Sequence, residues 1–89
     1  MNDLYEQLVD QVKQEAFKQA ERIYRLYGRQ ASRIYPSNHH VVVAIARLLE
    51  QTIHVPAEII KDIIAVEGLT SKLGEVALFS HVKDDELGL

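Results

Sequence analysis

Apolar residues recur at intervals of three and four along three stretches of the chain, and this period predicts an all-α fold. The densest stretch, SNHHVVVAIARLLEQTIHVPAEIIKDIIAVEGL at positions 37–69, divides into two helices, 38–52 and 56–66. In the first, at about 100° per residue, Val41, Val42, Ala44, Ile45, Ala46, Leu48, Leu49 and Ile53 fill more than half the circumference. Val43, Arg47, Glu50 and Gln51 are left on a narrow outer strip, which places this helix at the centre of the fold. Ser37 or Asn38 is suited to cap it, because a short oxygen-bearing side chain accepts from the free amides of the first turn. Pro56 suits the first turn of the next helix and forces the preceding one to stop before it. There Ile59, Ile60, Ile63, Ile64 and Val66 face inward, Glu58, Lys61, Asp62 and Ala65 face water, and Gly68 is placed for a left-handed cap.

The first segment reads as one helix over residues 3–34. Asp3 can cap it, and Tyr5, Val9, Val12, Ala16, Ala20, Ile23, Tyr27, Ala31 and Ile34 return to one face. The phase carries through Gly28, so an unbroken rod is expected, with a helix end at Gly28 as the competing reading. Pro36 supplies the stop. Such a rod is roughly 45 Å long, against a radius of gyration near 12 Å for a compact chain of this size. Its overhanging apolar stripe calls for cover by a second copy about a twofold axis, so a homodimer is expected. After Gly68, Thr70 or Ser71 can cap a short fourth helix with Leu73, Val76, Ala77 and Ser80 on one side. Alternation over 76–80 offers a strand instead, and helix is preferred. The fold expected is therefore a small helical bundle in one domain, residues 1–89, with a long N-terminal helix, a helix-turn-helix-like αα corner and a short C-terminal helix.

Composition narrows the compartment. The chain has no cysteine, hence no disulfide or thiolate chemistry, which fits a cytoplasmic setting. It has no apolar run of about 18 residues and no basic leader, which argues against a membrane span or export. The C-terminal KDDELGL resembles an endoplasmic-reticulum retention signal in composition but not in order. The net charge of −3 argues against a general nucleic-acid coat, but it hides a basic block. From Ala16 to Arg47 there are six cations against Glu21 alone, leaving the rest of the chain acidic.

Within that block Lys18, Arg22, Arg25, Arg29 and Arg33 step by four, three, four and four. On a continuous helix they cover an arc of about 80° opposite the apolar face. Arginine forks bind carboxylates and phosphates in pairs, so the row is a candidate docking surface; its ordinary reading is a solvated face partly neutralised by Glu15 and Glu21. Tyr24, Tyr27 and Tyr35 add the ring type that anchors interfaces, with Tyr27 the one expected to pack on the core. His39 and His40 are adjacent and diverge by about 100°, so they favour first-turn capping over metal binding. His54 and His81 have no assured neighbour, and no nucleophile elbow or phosphate loop is present.

These features predict neither an enzyme nor a cofactor site. They point to a protein-binding adaptor, inhibitor or regulatory subunit of the kind bacteria and phages use. The expected partner is an acidic protein surface, and the contact residues are Lys18, Arg22, Tyr24, Arg25, Arg29, Arg33, Tyr35, His39 and His40. The alternative is a helix-turn-helix DNA-binding regulator. It is disfavoured because the second helix of the corner presents Glu58 and Asp62 where phosphates would lie, and the turn lacks glycine.

Overall fold

The computed structural model describes residues 3–78, so the expectations placed on Ser80, His81 and the KDDELGL segment fall outside it. The described chain is helical, with no strand. It forms α1 (Asp3–Tyr27), a 3-10 turn (Gly28–Gln30), the single-turn α2 (Ala31–Ile34), α3 (Asn38–Ile53), α4 (Ala57–Val66) and α5 (Thr70–Leu78). Residues 70–78 are thus helix rather than strand. No helix among the described residues is long and apolar enough to cross a membrane.

α1 and α3 each pack against one another and against both α4 and α5, which makes α3 the central element its breadth of apolar surface predicts. Val12, Ala16 and Ala20 of α1 are fully buried, as are Val41, Ile45, Ala46 and Leu49 of α3, Ile60 and Ile64 of α4 and Leu73 and Ala77 of α5. At about 25 cal/mol per Å² of apolar area removed from water, this shared interior is the main favourable contribution to folding. No polar or charged side chain is buried among the described residues, so the core carries no desolvation penalty of that kind.

The local signals act largely as expected. Ser37, extended at φ −147° and ψ 166°, caps α3 by accepting from the His40 amide at 3.4 Å. Pro56 precedes α4, and its carbonyl accepts from the amides of Ile59 and Ile60 at 3.0 and 3.1 Å. α4 closes on Gly68 at φ +68°. There the Gly68 amide donates to Ala65 and the Leu69 amide to Ile64, at 3.1 and 2.9 Å, which is the paired closure of a Schellman motif. Leu69 is thereby turned inward and buried.

One expectation fails at a point that matters for function. The first helix does not run unbroken to residue 34: it ends at Tyr27, and Gly28 adopts φ +54°. Sequence phase alone permits either path, since glycine enters a left-handed turn without steric strain; Ala31 is fully buried beyond the turn. Nothing lies within 4 Å of where a Gly28 Cβ would sit, so the backbone angle, not space, requires glycine. Gly28→Ala is expected to lower stability by about 1–2 kcal/mol, read as a fall in denaturation midpoint.

The mirror case is His54, which takes φ +60° at the end of α3 while its amide donates to the Glu50 carbonyl at 3.0 Å. The corner lacks a glycine in sequence but uses a glycine-like conformation. His54→Gly should raise stability by about 0.5–1 kcal/mol, the relief of left-handed strain exceeding the extra chain entropy.

Several residues assigned to the core are exposed instead: Tyr5, Tyr27 and Ile34 on the N-terminal segment, Leu48 on α3, and Ile59 and Val66 on α4. The break at Gly28 removes Ile34 from the α1 phase. α4 packs chiefly on α3 and α1, enough to bury one stripe but not its flanks. Tyr5, near the start of the 25-residue α1, opens onto a hollow that it shares with Glu67 at the end of α4.

Candidate protein-interaction surface

The break at Gly28 reorganises the basic row. Lys18, Arg22 and Arg25 share the outer side of α1, whereas Arg29 belongs to the 3-10 turn and Arg33 to α2. All five are exposed, but they no longer form one line along one helix. Lys18 lies 3.6 Å from Glu15, an exposed pair worth under about 1 kcal/mol.

What the turn builds instead is a pair of adjoining hollows that share Tyr35. The first, about 350 Å³, lies between the second half of α1 and the last turns of α3. Leu26, Tyr27 and Leu48 supply its apolar surface, and Arg22, Gln19 and Thr52 its polar edge. The second, about 410 Å³, is lined by Ile34, Val43 and Ala44 together with His39, His40 and Arg47. Tyr35, half-buried between them, meets Tyr27 edge to face with ring centroids 6.3 Å apart, an arrangement that aromatic quadrupoles favour.

The structure therefore brings Arg22, Tyr35, His39 and His40 onto one surface. Arg25, Arg29 and Arg33 are exposed but line neither hollow, and Tyr24 is half-buried. Tyr27 is the more exposed of the three tyrosines, reversing the expectation that it packs on the core. Leu26, Ile34, Arg47 and Leu48 are members that sequence reasoning did not name. Leu26 is 63% exposed and Leu48 46%, and their neighbourhood is free of carboxylates in sequence. Residues 22–49 contain Arg22, Arg25, Arg29, Arg33 and Arg47 and no aspartate or glutamate.

The histidines behave as a helix start. His40 Nδ1 lies 2.7 Å from Ser37 Oγ, a contact that reinforces the cap. The His39 and His40 rings sit 6.4 Å apart at 75°, too divergent to share an ion. Among the described residues no three carboxylates or imidazoles converge on a metal-sized space. On α4, Lys61 is engaged by Glu58 at 3.1 Å, which leaves the outer side of that helix without a free cation to offer a phosphate backbone.

A third hollow, about 500 Å³, lies at the opposite end of α1. Tyr5 and Val9 line it with Glu6, Asp10 and Glu67, and Lys13 bridges to Glu67 at 3.5 Å. The molecule is thus polarised along its length, with exposed apolar side chains at both ends and opposite charge around them. Comparison with protein-family models, with curated proteins and with solved structures finds no match in any of the three.

Proposed function

We propose that the protein is a non-enzymatic interaction module, an adaptor, inhibitor or regulatory subunit, that holds an acidic face of another protein on the surface around Tyr35. The observation that carries this reading is a coincidence in space: uncovered Leu26, Tyr27, Ile34 and Leu48 lie within the one long stretch of chain that has arginines and no carboxylates. Exposed apolar side chains next to aromatic rings and guanidinium groups are the composition of an interface centre. Arginine also steers an acidic partner before contact is made.

The helix-turn-helix alternative needs a reading helix whose outer side meets phosphates. α4 presents exposed Glu58 and Asp62 there, and the charge argues against it. Affinity capture with the wild type and with Arg25→Glu, Arg29→Glu tests the proposal. A protein retained by the first and lost from the second, with unchanged helical circular dichroism, supports it. Equal retention by both removes the arginines from the surface, and salt-sensitive retention of random duplex DNA in place of protein favours the alternative.

A further inference from the structure

α3 packs on α1, α4 and α5 and still leaves one of its sides open. His40, Ala44, Leu48 and Thr52 follow one another at intervals of four along that side, which makes them a single ridge on the helix surface. Ala44 is half-buried and the other three are exposed. From His40 to Thr52 the ridge is about 18 Å long, or roughly three turns. It joins the two hollows that share Tyr35: His40 and Ala44 line one, Leu48 and Thr52 the other.

The polar groups of the ridge are already engaged within the chain. The Thr52 hydroxyl donates to the Leu48 carbonyl at 3.0 Å, and His40 Nδ1 lies 2.7 Å from Ser37 Oγ. The backbone beneath them is α-helical, so its amides and carbonyls bond to one another, and the described residues contain no strand whose edge could pair with another chain. An extended segment laid on this surface would therefore find no backbone partners. A helix arrives with its own already satisfied. Ala44, the smallest side chain of the ridge, lies in its middle and lets a second helix axis come close.

Charge fixes the character of that helix. Arg22 on the edge of one hollow and Arg47 on the edge of the other are exposed, and neither is held by a carboxylate among the described residues. We infer that the surface receives an amphipathic helix of another protein, with its apolar stripe on Ala44 and Leu48 and its carboxylates on the flanks, toward Arg22 and Arg47. This rests on the acidic partner proposed above and adds the form in which that partner presents its acidic residues. A second copy of the chain fits less well, because a twofold contact on the ridge brings two arginine-edged surfaces together. A phosphate backbone would satisfy the arginines but leave Ala44 and Leu48 without an apolar contact.

The test is selection on the immobilised chain from a library of random peptides about sixteen residues long, enough to span the ridge as a helix. Enriched peptides are expected to carry apolar residues at intervals of three and four, carboxylates beside them and no interior proline, and to gain helical circular dichroism on binding. Ala44→Gln, which lengthens the side chain at the middle of the ridge, and separately Leu48→Gln, which removes its largest apolar contact, should each weaken their binding tenfold or more. Neither position is fully buried, and the circular dichroism of each variant alone checks that it folds. Acidic peptides with alternating apolar residues or an interior proline would overturn the helix and leave the acidic partner standing. Helical peptides that carry lysine in place of carboxylates would overturn both. Binding indifferent to both substitutions, or no enriched peptide at all, would overturn the assignment of the ridge.

Discussion

Replacing Leu49 by alanine is expected to lower the free energy of unfolding by about 3–5 kcal/mol, whereas the same change one residue earlier, at Leu48, should cost under about 1 kcal/mol. Leu49 is fully buried in the central helix, among the side chains of a core that reaches every other helix. Truncating it removes the transfer energy of its methyl groups and leaves a void that close-packed neighbours fill only in part. Leu48 opens onto the hollow beside Leu26 and leaves no internal void when shortened. A chain of 89 residues has roughly 4–13 kcal/mol of stability in total, so Leu49→Ala consumes a large share of it. At about 4–8 °C per kcal/mol the melting temperature should fall by at least 12 °C. Urea denaturation of dilute protein, followed by the helical signal, separates the two variants. Equal losses at both positions would mean that the Leu48 side of α3 is covered in the single chain.

Much of the core was readable because the inward positions are fixed by local period. Val9, Val12, Ala16, Ala20 and Ile23 keep one phase for four turns, and all are buried. Ile60, Ile63 and Ile64 do the same on α4. What period cannot report is how wide a stripe the neighbouring helices cover. α3 and α4 each carry more apolar surface than the helices packed on them bury, so Leu48, Ile59 and Val66 remain outside. Gly28 was unreadable for a different reason: glycine permits both a continued helix and a left-handed turn, and the apolar phase of Ala20, Ile23, Tyr27 and Ala31 runs across it either way.

The candidate surface was legible in its residue types more than in its shape. The arginines and tyrosines announce themselves by spacing and composition. Their arrangement depends on α1 and α3 lying side by side, so that Leu48 and Thr52 face Arg22 and Leu26, a pairing separated by more than twenty residues of sequence. Leu26 was the available clue. It sits about 80° off the core phase of α1, and an apolar residue stranded between arginines on a helix flank is better explained by a contact outside the chain than by one within it.

That distinction separates the two halves of binding. Leu26→Ser with Leu48→Ser should weaken capture of the acidic partner by about a hundredfold or more, because two apolar contacts at an interface centre contribute on the order of 1.5 kcal/mol each and every 1.4 kcal/mol is tenfold. The loss should appear as faster dissociation, since short-range contacts act after the complex has formed. Arg25→Glu with Arg29→Glu acts earlier and at longer range. It should slow association, flatten the dependence of the association rate on salt, and leave the melting temperature nearly unchanged, as expected for exposed positions. Surface-based binding kinetics at two ionic strengths read both effects. A double serine variant that dissociates no faster than the wild type would take the hollow out of the interface, and the arginines would then be acting on their own as a steering field.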